Sequence, residues 1–554
     1  MKKAIAQSNK SRDLLNVSIL LMLASCIGIY LIVTTALIAK DGVTFIKYGQ
    51  QIEADPVKTM VNEYQHPGYP LLILTAHKIT GFLHKNTSIL SWVYCAQSVT
   101  LIFRLLAVVV LYFIAKQLFG ARLSFWAGLI LILLPKPAEY GSDALSDWPH
   151  LFFLLTGLLL LLRGAANKRW LLFGFAGLAT GAGYLLRPEC AQLLVLGSLW
   201  LGLQLLLPKE HTMGKSKALP ALALLLAGFM VVAGPYMYLK EAVFPKKNVG
   251  EFASITKEIE TARPVIPKKN VGQSAPTTKT IKASREVSPK QNVGRSTPSS
   301  QQLKVPAKNS PPVSEAIHTL QLTPLHIMKA FGKLVTNTGE TLMWFFVPGL
   351  LIGMYKKLKV QKWYEPEKFF IIAIIVINIP VMIWLHCKYG YMSNRHTLPL
   401  LILPILYVPV GLQELAVWFQ KQFSIKVKSS AAINFNERFY FLVLILIGAS
   451  ICTPKLLRPI RFEKQGFRAA AQWIKNNTDS NAIVAVPDKR ISFYAGRKYL
   501  FYENKNIPKR AEYIVKFFKK KTAKLTPANP SYKLVYEYID KRRRIANTAI
   551  YKRL

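Results

Sequence analysis

Acidic side chains are scarce in this chain. Its 554 residues carry 28 Asp and Glu against 72 Lys and Arg, a formal charge of +44. Cysteine is rarer still. Cys26, Cys95, Cys190, Cys387 and Cys452 lie in or beside apolar runs, and no two have metal-ligand spacing. That excludes a disulfide framework and a cysteine zinc site. What the chain has in plenty is apolar sequence. Hydrophobic residues make up 51% of it, arranged in repeated runs of membrane-spanning length. An ordinary soluble domain is excluded. On a soluble protein such a positive charge points to nucleic acid. Here the basic residues sit in short loops between apolar runs and in two long hydrophilic segments. Membrane lipids with anionic headgroups, or a phosphate-bearing lipid, are therefore the expected partners, and nucleic acid is not.

The first apolar run is too long for a cleaved signal and reads as an uncleaved span over Leu14–Ala39. Its basic start holds the N-terminus in the cytoplasm, so Asp41 emerges on the far side. A polar loop, Lys40–Pro70, ends in HPGYP, where the two prolines forbid a continuous helix. Leu71–Leu83 is too short to span and reads as a re-entrant or surface helix. Further spans are expected near Ile89–Ala115, Leu123–Leu134, Leu151–Leu162, Trp170–Leu186, Cys190–Leu207, Ala218–Leu239, Thr341–Tyr355, Phe369–His386, Leu398–Phe419 and Phe439–Cys452, about eleven in all. With that count the most basic short loops fall on the N-terminal side and the acidic loops collect on the other face.

The domain plan that follows is an N-terminal membrane part over 1–243, an insertion over 244–303, a second membrane part over 304–452 and an outer-face soluble α/β domain over 453–554. In the insertion PKKNVG at Pro245 recurs at Pro267 and, as PKQNVG, at Pro289. Rich in Pro, Lys, Ser and Thr, it cannot bury a core and reads as disordered, either a tolerated duplication or a tether to an anionic surface. In the last domain FRAAAQWIKNNT reads as an amphipathic helix, AIVAVP as a buried strand and ISFYAGRKYLFYE as a second strand region. The basic end, EYIDKRRRIANTAIYKRL, is suited to lipid headgroups.

Chemistry in such a chain is expected where carboxylates meet the membrane boundary. Asp41 stands at the end of the first span, where partial desolvation makes a carboxylate a better base; the plain alternative is a solvated helix end. Asp143 and Asp147 lie in the next outer loop, four apart, on one face if that stretch is helical. Asp147 also suits a helix start. Arg187 and Glu189, in LLRPEC, sit between two spans and either line a cavity or pair with each other. Arg395 and His396 open a later span, where an arginine fits a phosphate and a protonated histidine donates to one. His66 is a candidate for phosphate or metal, or a structural hydrogen bonder.

The strings DGVTFIKYGQ, HPGYPLLI, ALSDWPHLFFLLTGLLLLLRG, GLATGAGYLLRPE, YMSNRHTLPLLILP and AAAQWIKNN…RISFYAGR, in that order, resemble the GT-C superfamily of membrane glycosyltransferases. The likeness is to glycosyltransferase family 39, with its protein O-mannosyltransferases and aminoarabinose transferases, and it runs along most of the chain outside the insertion. The resemblance implies an α-helical polytopic membrane protein of GT-C-like fold with a small C-terminal soluble α/β domain. It implies an enzyme that moves a sugar from a polyprenyl-phosphate donor, usually with inversion, to a lipid, glycan or protein acceptor on the outer face. Asp41 matches the family's catalytic acid after the first span, and Asp147 its second; Asp143, His66, Arg187, Glu189, Arg395 and His396 are the expected substrate contacts. Many relatives carry two adjacent acids where this chain has Asp41 and Gly42, so no metal ligand is assigned and a divalent metal is left open as a cofactor. Compact size and short loops suit a bacterial inner (plasma) membrane with the site facing the periplasm. A transporter or flippase of a lipid-linked glycan is the rival reading. It calls for charges mid-span and an inverted repeat, whereas the charges here sit at span ends. A non-catalytic scaffold would make the clustered carboxylates dispensable.

Overall fold

In the computed structural model the described residues are 2–83, 88–206, 213–242, 323–360, 365–426, 436–502, 508, 510–518, 531–540 and 545–554. The expected insertion over 244–303 lies outside them. The chain is a multi-pass helical membrane protein. Among the described residues eight helices are long and apolar enough to cross a membrane, within Lys10–Thr34, Ile89–Phe119, Asp147–Ala166, Pro188–Leu206, Lys215–Lys240, Pro366–Tyr389, Leu398–Phe423 and Glu437–Leu456. Three further expected spans correspond to shorter helices, Ala121–Leu133, Leu171–Leu186 and Val347–Val360. At 1.5 Å per residue these reach about 20–24 Å, short of a hydrocarbon core of about 30 Å. Helix Leu171–Leu186 packs against Asp147–Ala166 and Lys215–Lys240. Its glycines allow that approach, since a Cβ on Gly177 would collide with the Leu225 carbonyl oxygen.

The region after the first helix departs from the expected loop. Helix α1 (Lys2–Thr34) stops five residues before the predicted end of the first span, and a second helix, α2 (Lys40–Ala54), starts after a short extended stretch. Asp41 is therefore in the first turn of α2 and not at the end of a span. The reason is visible in the spacing. Gly42, Val43, Phe45, Ile46, Tyr48, Gly49 and Ile52 are all buried, an apolar face recurring every three to four residues. A short helix α3 (Pro56–Asn62) follows, capped by Asp55, whose side chain accepts from the Lys58 N–H at 3.1 Å. Helix α4 (Gly68–Leu83) has 16 residues, too few to span, as its length predicts.

The C-terminal region is a five-stranded sheet in the order β2-β1-β3-β5-β4, with helices beside it. Strand β1 (Ile483–Val486) pairs in parallel with β2 (Lys498–Phe501) and β3 (Tyr513–Phe517); β4 (Tyr532–Asp540) and β5 (Ile545–Arg553) pair antiparallel. The expected amphipathic helix runs over Gln465–Asn477, and AIVAVP supplies β1. The expected strand over ISFYAGRKYLFYE is only half a strand. Its first part is a helix, Lys489–Ala495, because Asp488 caps it by accepting from the Arg490 N–H at 3.1 Å and Gly496 ends it at φ +65°. The basic tail belongs to β4 and β5.

The short stretch between α1 and α2 is held residue by residue. The Ala36 N–H donates to the Ile460 carbonyl at 3.1 Å, and Arg461 donates to the Leu37 carbonyl at 3.1 Å. The Ile38 N–H donates to the Tyr494 hydroxyl at 3.3 Å, while Arg490 donates to the Ile38 carbonyl at 3.1 Å. The Ala39 N–H donates to Asp143 Oδ1 at 3.0 Å. Backbone outside helices and strands has to find its hydrogen bonds elsewhere, and here residues of the C-terminal region and Asp143 supply them.

Candidate active site

With its entry strand fixed in this way, Asp41 presents a half-exposed carboxylate, 50% accessible. Its Oδ2 accepts from Arg395 Nη1 at 2.7 Å. Arg395 belongs to the turn before the short helix Leu398–Leu401. The same guanidinium turns its Nε and Nη2 to Asp147 Oδ2, at 3.1 and 2.9 Å. Asp147 is the first residue of its helix and only 2% accessible. Its other oxygen, Oδ1, accepts from Arg187 Nη1 at 2.7 Å, and Arg187 Nε faces Glu189 Oε1 at 3.7 Å. Five expected site residues thus form one string, Asp41–Arg395–Asp147–Arg187–Glu189. The expected Arg187–Glu189 pair exists, but the shorter contact of Arg187 is with Asp147.

The electrostatics are those of three carboxylates threaded by two guanidinium groups. Burial by itself pulls Arg187 and Arg395 down; the carboxylates beside them, Glu189 and Asp147 for Arg187, Asp147 and Asp41 for Arg395, outweigh it and hold both above the ordinary value. Both stay charged at every working pH. Each oxygen of buried Asp147 is occupied, whereas Asp41 keeps an accessible edge. Of the two, Asp41 is the one that can meet a substrate without rearrangement.

Asp143 has another fate. It is wholly buried, in a non-helical turn, so the expected shared helical face with Asp147 does not form. Its Oδ1 accepts from the Ala39 and Ala144 N–H groups at 3.0 and 2.8 Å, and its Oδ2 lies 2.6 Å from Arg461 Nη1. Both oxygens of the residue expected as a substrate contact are thus taken up within the protein, and its side chain is buried. Burial lowers Arg461 and Asp143 raises it, with the net upward. Gly42 completes this join. A Cβ there would stand 2.8 Å from the Cβ and the carbonyl oxygen of Ala144, so an acidic residue in place of Gly42 does not fit this packing.

The two histidines lie at the edges. His66 is buried, with its ring 5.0 Å edge-on to Tyr184 and 5.5 Å from Tyr236. Burial pushes it down to about 4, with Glu189 opposing. His396 packs edge-on to Tyr391, and its Nδ1 accepts from the Ser393 N–H at 3.4 Å. Burial, then Arg187 and Arg395, lower it. For both imidazoles the surroundings disfavour the protonated form. Among the described residues no group of three or more His, Cys, Asp or Glu side chains is placed to hold a metal ion.

Sequence reasoning missed several neighbours. His150, fully buried one helical turn beyond Asp147, sits within the same charge group; its i+3 spacing from Asp147 was the available signal. Arg461, in RPIRFE, and Arg490, in DKR, lie beyond the last span and gave no sign of reaching Leu37 and Ile38. Arg104, in a long apolar helix, is buried over Trp148 with its guanidinium 5.9 Å from the ring, and an arginine inside an apolar run is itself a signal.

Residues 67–234 match the family model described as dolichyl-phosphate-mannose-protein mannosyltransferase. No curated protein matches the chain. Among solved structures, ArnT from Cupriavidus metallidurans bound to undecaprenyl phosphate is similar at 14% identity and a TM-score of 0.48, covering 97% of this chain and 97% of that one. The same protein in the apo state is similar at 14% identity and a TM-score of 0.46, covering 89% and 86%. The Archaeoglobus fulgidus oligosaccharyltransferase in the apo form is similar at 12% identity and a TM-score of 0.47, covering 90% of this chain and 69% of that one. Over residues 67–234 the chain is thus similar to the mannosyltransferase family.

Proposed function

We propose that this enzyme moves a sugar from a polyprenyl-phosphate donor to an acceptor hydroxyl, with inversion, using Asp41 as base. The observation that carries the proposal is the string Asp41–Arg395–Asp147–Arg187, in which one half-exposed carboxylate is held by an arginine that a buried carboxylate anchors. Asp41 takes the proton of the acceptor hydroxyl as its oxygen bonds to the anomeric carbon. The bond from that carbon to the phosphate oxygen breaks, and the electron pair leaves on the lipid phosphate. A guanidinium has five N–H groups. Arg395 directs three at Asp41 and Asp147, which leaves two for the departing phosphate, where charge develops. Arg187 sets the anchor's other side, while Glu189, His66 and His396 edge the substrate space. The family's name for dolichyl-phosphate-mannose supports a lipid-linked donor.

The site is assigned to the outer face of the cell's inner (plasma) membrane, because the N-terminus is basic and the first span opens directly into the Asp41 region. The domain plan is proposed with it: two membrane parts, the insertion between them, and a C-terminal domain that closes over the site. The test is transfer of labelled sugar from polyprenyl-phosphate donors in membranes holding wild type, Asp41→Asn or Asp147→Asn at equal expression. Loss of transfer with Asp41→Asn supports the reading; full transfer by both variants contradicts the site.

A further inference from the structure

A second charge group flanks Asp41, in which amines outnumber carboxylates. Lys40, Thr44 and Lys47 share one face of α2, at i, i+4 and i+7. Lys489, the first residue of its helix in the C-terminal domain, reaches that face, its Nζ donating to Thr44 Oγ1 at 3.2 Å. Lys489 is within electrostatic range of Asp41, Asp488, Lys40, Lys47 and Arg490, and Lys464 is within range of Asp488, Arg490, Lys40 and Arg461. Amines from two stretches more than four hundred positions apart thus converge beside the proposed base.

The nearby acids are already engaged. Asp41 holds Arg395. Asp488 takes Arg490 Nε and Nη2 at 2.9 and 2.6 Å, with Lys464 only at 3.8 Å. Among the described residues no ion pair joins Lys40, Lys47 or Lys489 to a carboxylate. Lys47 instead rests 5.6 Å over the Tyr499 ring. Burial, and then like-charged neighbours, lower Lys47 and Lys464.

We infer that Lys40, Lys47, Lys464 and Lys489 bind an anionic group of phosphate class on the acceptor, next to the hydroxyl that Asp41 deprotonates. This rests on the transferase reading above. An inverting displacement needs separate places for the leaving phosphate and for the acceptor. Arg395 comes to Asp41 from one element, tied to two carboxylates; the lysines come from α2 and the C-terminal domain, and of the four only Lys464 has an ion-pair partner, Asp488 at 3.8 Å, among the described residues. Point charges on flexible stems suit a phosphate that arrives on a variable acceptor.

The test uses the full-length chain in detergent, which removes membrane headgroups, with inorganic pyrophosphate and a polyprenyl phosphate as separate probes in titration calorimetry. The variants are Lys47→Gln/Lys489→Gln, Lys47→Arg/Lys489→Arg and, at an exposed position that leaves packing untouched, Lys40→Gln. Expected are pyrophosphate binding by wild type, at least tenfold weaker binding by the double Gln variant, about threefold weaker binding by Lys40→Gln, retention by the double Arg variant, and polyprenyl phosphate affinity unchanged throughout. Pyrophosphate affinity that is absent in wild type, or equal in wild type and Lys40→Gln, overturns the inference. So does a parallel loss of polyprenyl phosphate, which would give the patch to the donor. Wild type that binds no polyprenyl phosphate contradicts the transferase reading instead, and the pyrophosphate series is read independently of it.

Discussion

Asp143 and Asp147 stand four residues apart in one loop and do different work. Asp147 faces inward to two guanidinium groups and links the elements that carry Arg187 and Arg395. Asp143 faces the backbone, ties Ala39 to its own loop, and meets Arg461 from the C-terminal domain. One carboxylate organises charge; the other fixes the path of the chain that delivers Asp41. Both are buried, so burial does not separate them; their partners do. Asp147 meets guanidinium groups on both oxygens, whereas Asp143 gives one oxygen to Arg461 and the other to two backbone N–H groups, and that backbone grip makes it a joint.

The comparison breaks most visibly at Asp41. Asp41→Asn removes the proposed base and keeps the shape, so transfer is expected to fall at least about 100-fold, with the melting temperature unchanged. Asp147→Asn strikes both properties. Two guanidinium groups lose their shared anchor, which costs about 3 kcal/mol or more where a buried partner is left uncompensated; transfer and thermal stability should fall together. Asp143→Asn is expected to act through stability, lowering the melting temperature while the surviving folded enzyme keeps the wild-type pH profile. Gly42→Ala sharpens the same joint. Its new Cβ meets Ala144, and overpacking of this kind costs about 1–3 kcal/mol, so both stability and transfer should drop, with Gly42→Asp worse than Gly42→Ala.

The smallest effect concerns pH. The folded-state value of His66 lies near 4, below the ordinary imidazole value, so the unfolded chain binds the proton first. Stability should fall as pH drops from about 6.5 to about 4 and level off below. His66→Gln should flatten that slope in melting curves taken across the window, by at most about 3 kcal/mol.

Much of this was legible in the sequence. Apolar runs announced the long helices, and the scarcity of acids made Asp41, Asp147 and Glu189 conspicuous. Arg187 and Arg395 stood out because each opens or closes a span. The helix over Lys40–Ala54 was harder to see, since its polar face suggests a loop unless Val43, Ile46 and Ile52 are read at helical spacing. The division of partners between Asp143 and Asp147 was not legible at all. It depends on Arg461 and on the Ala39 backbone, and no local pattern links residues separated by hundreds of positions. The lysine flank was hidden for the same reason, as Lys489 meets Thr44 only once the C-terminal domain has folded against α2.

The most direct measurement compares Asp41→Asn with Asp143→Asn in one preparation, reading sugar transfer from a polyprenyl-phosphate donor and thermal unfolding side by side. The account predicts that Asp41→Asn abolishes transfer at wild-type stability, while Asp143→Asn loses stability and keeps transfer per folded molecule within about tenfold of wild type. Wild-type transfer by Asp41→Asn, or a stable but inactive Asp143→Asn, would contradict it.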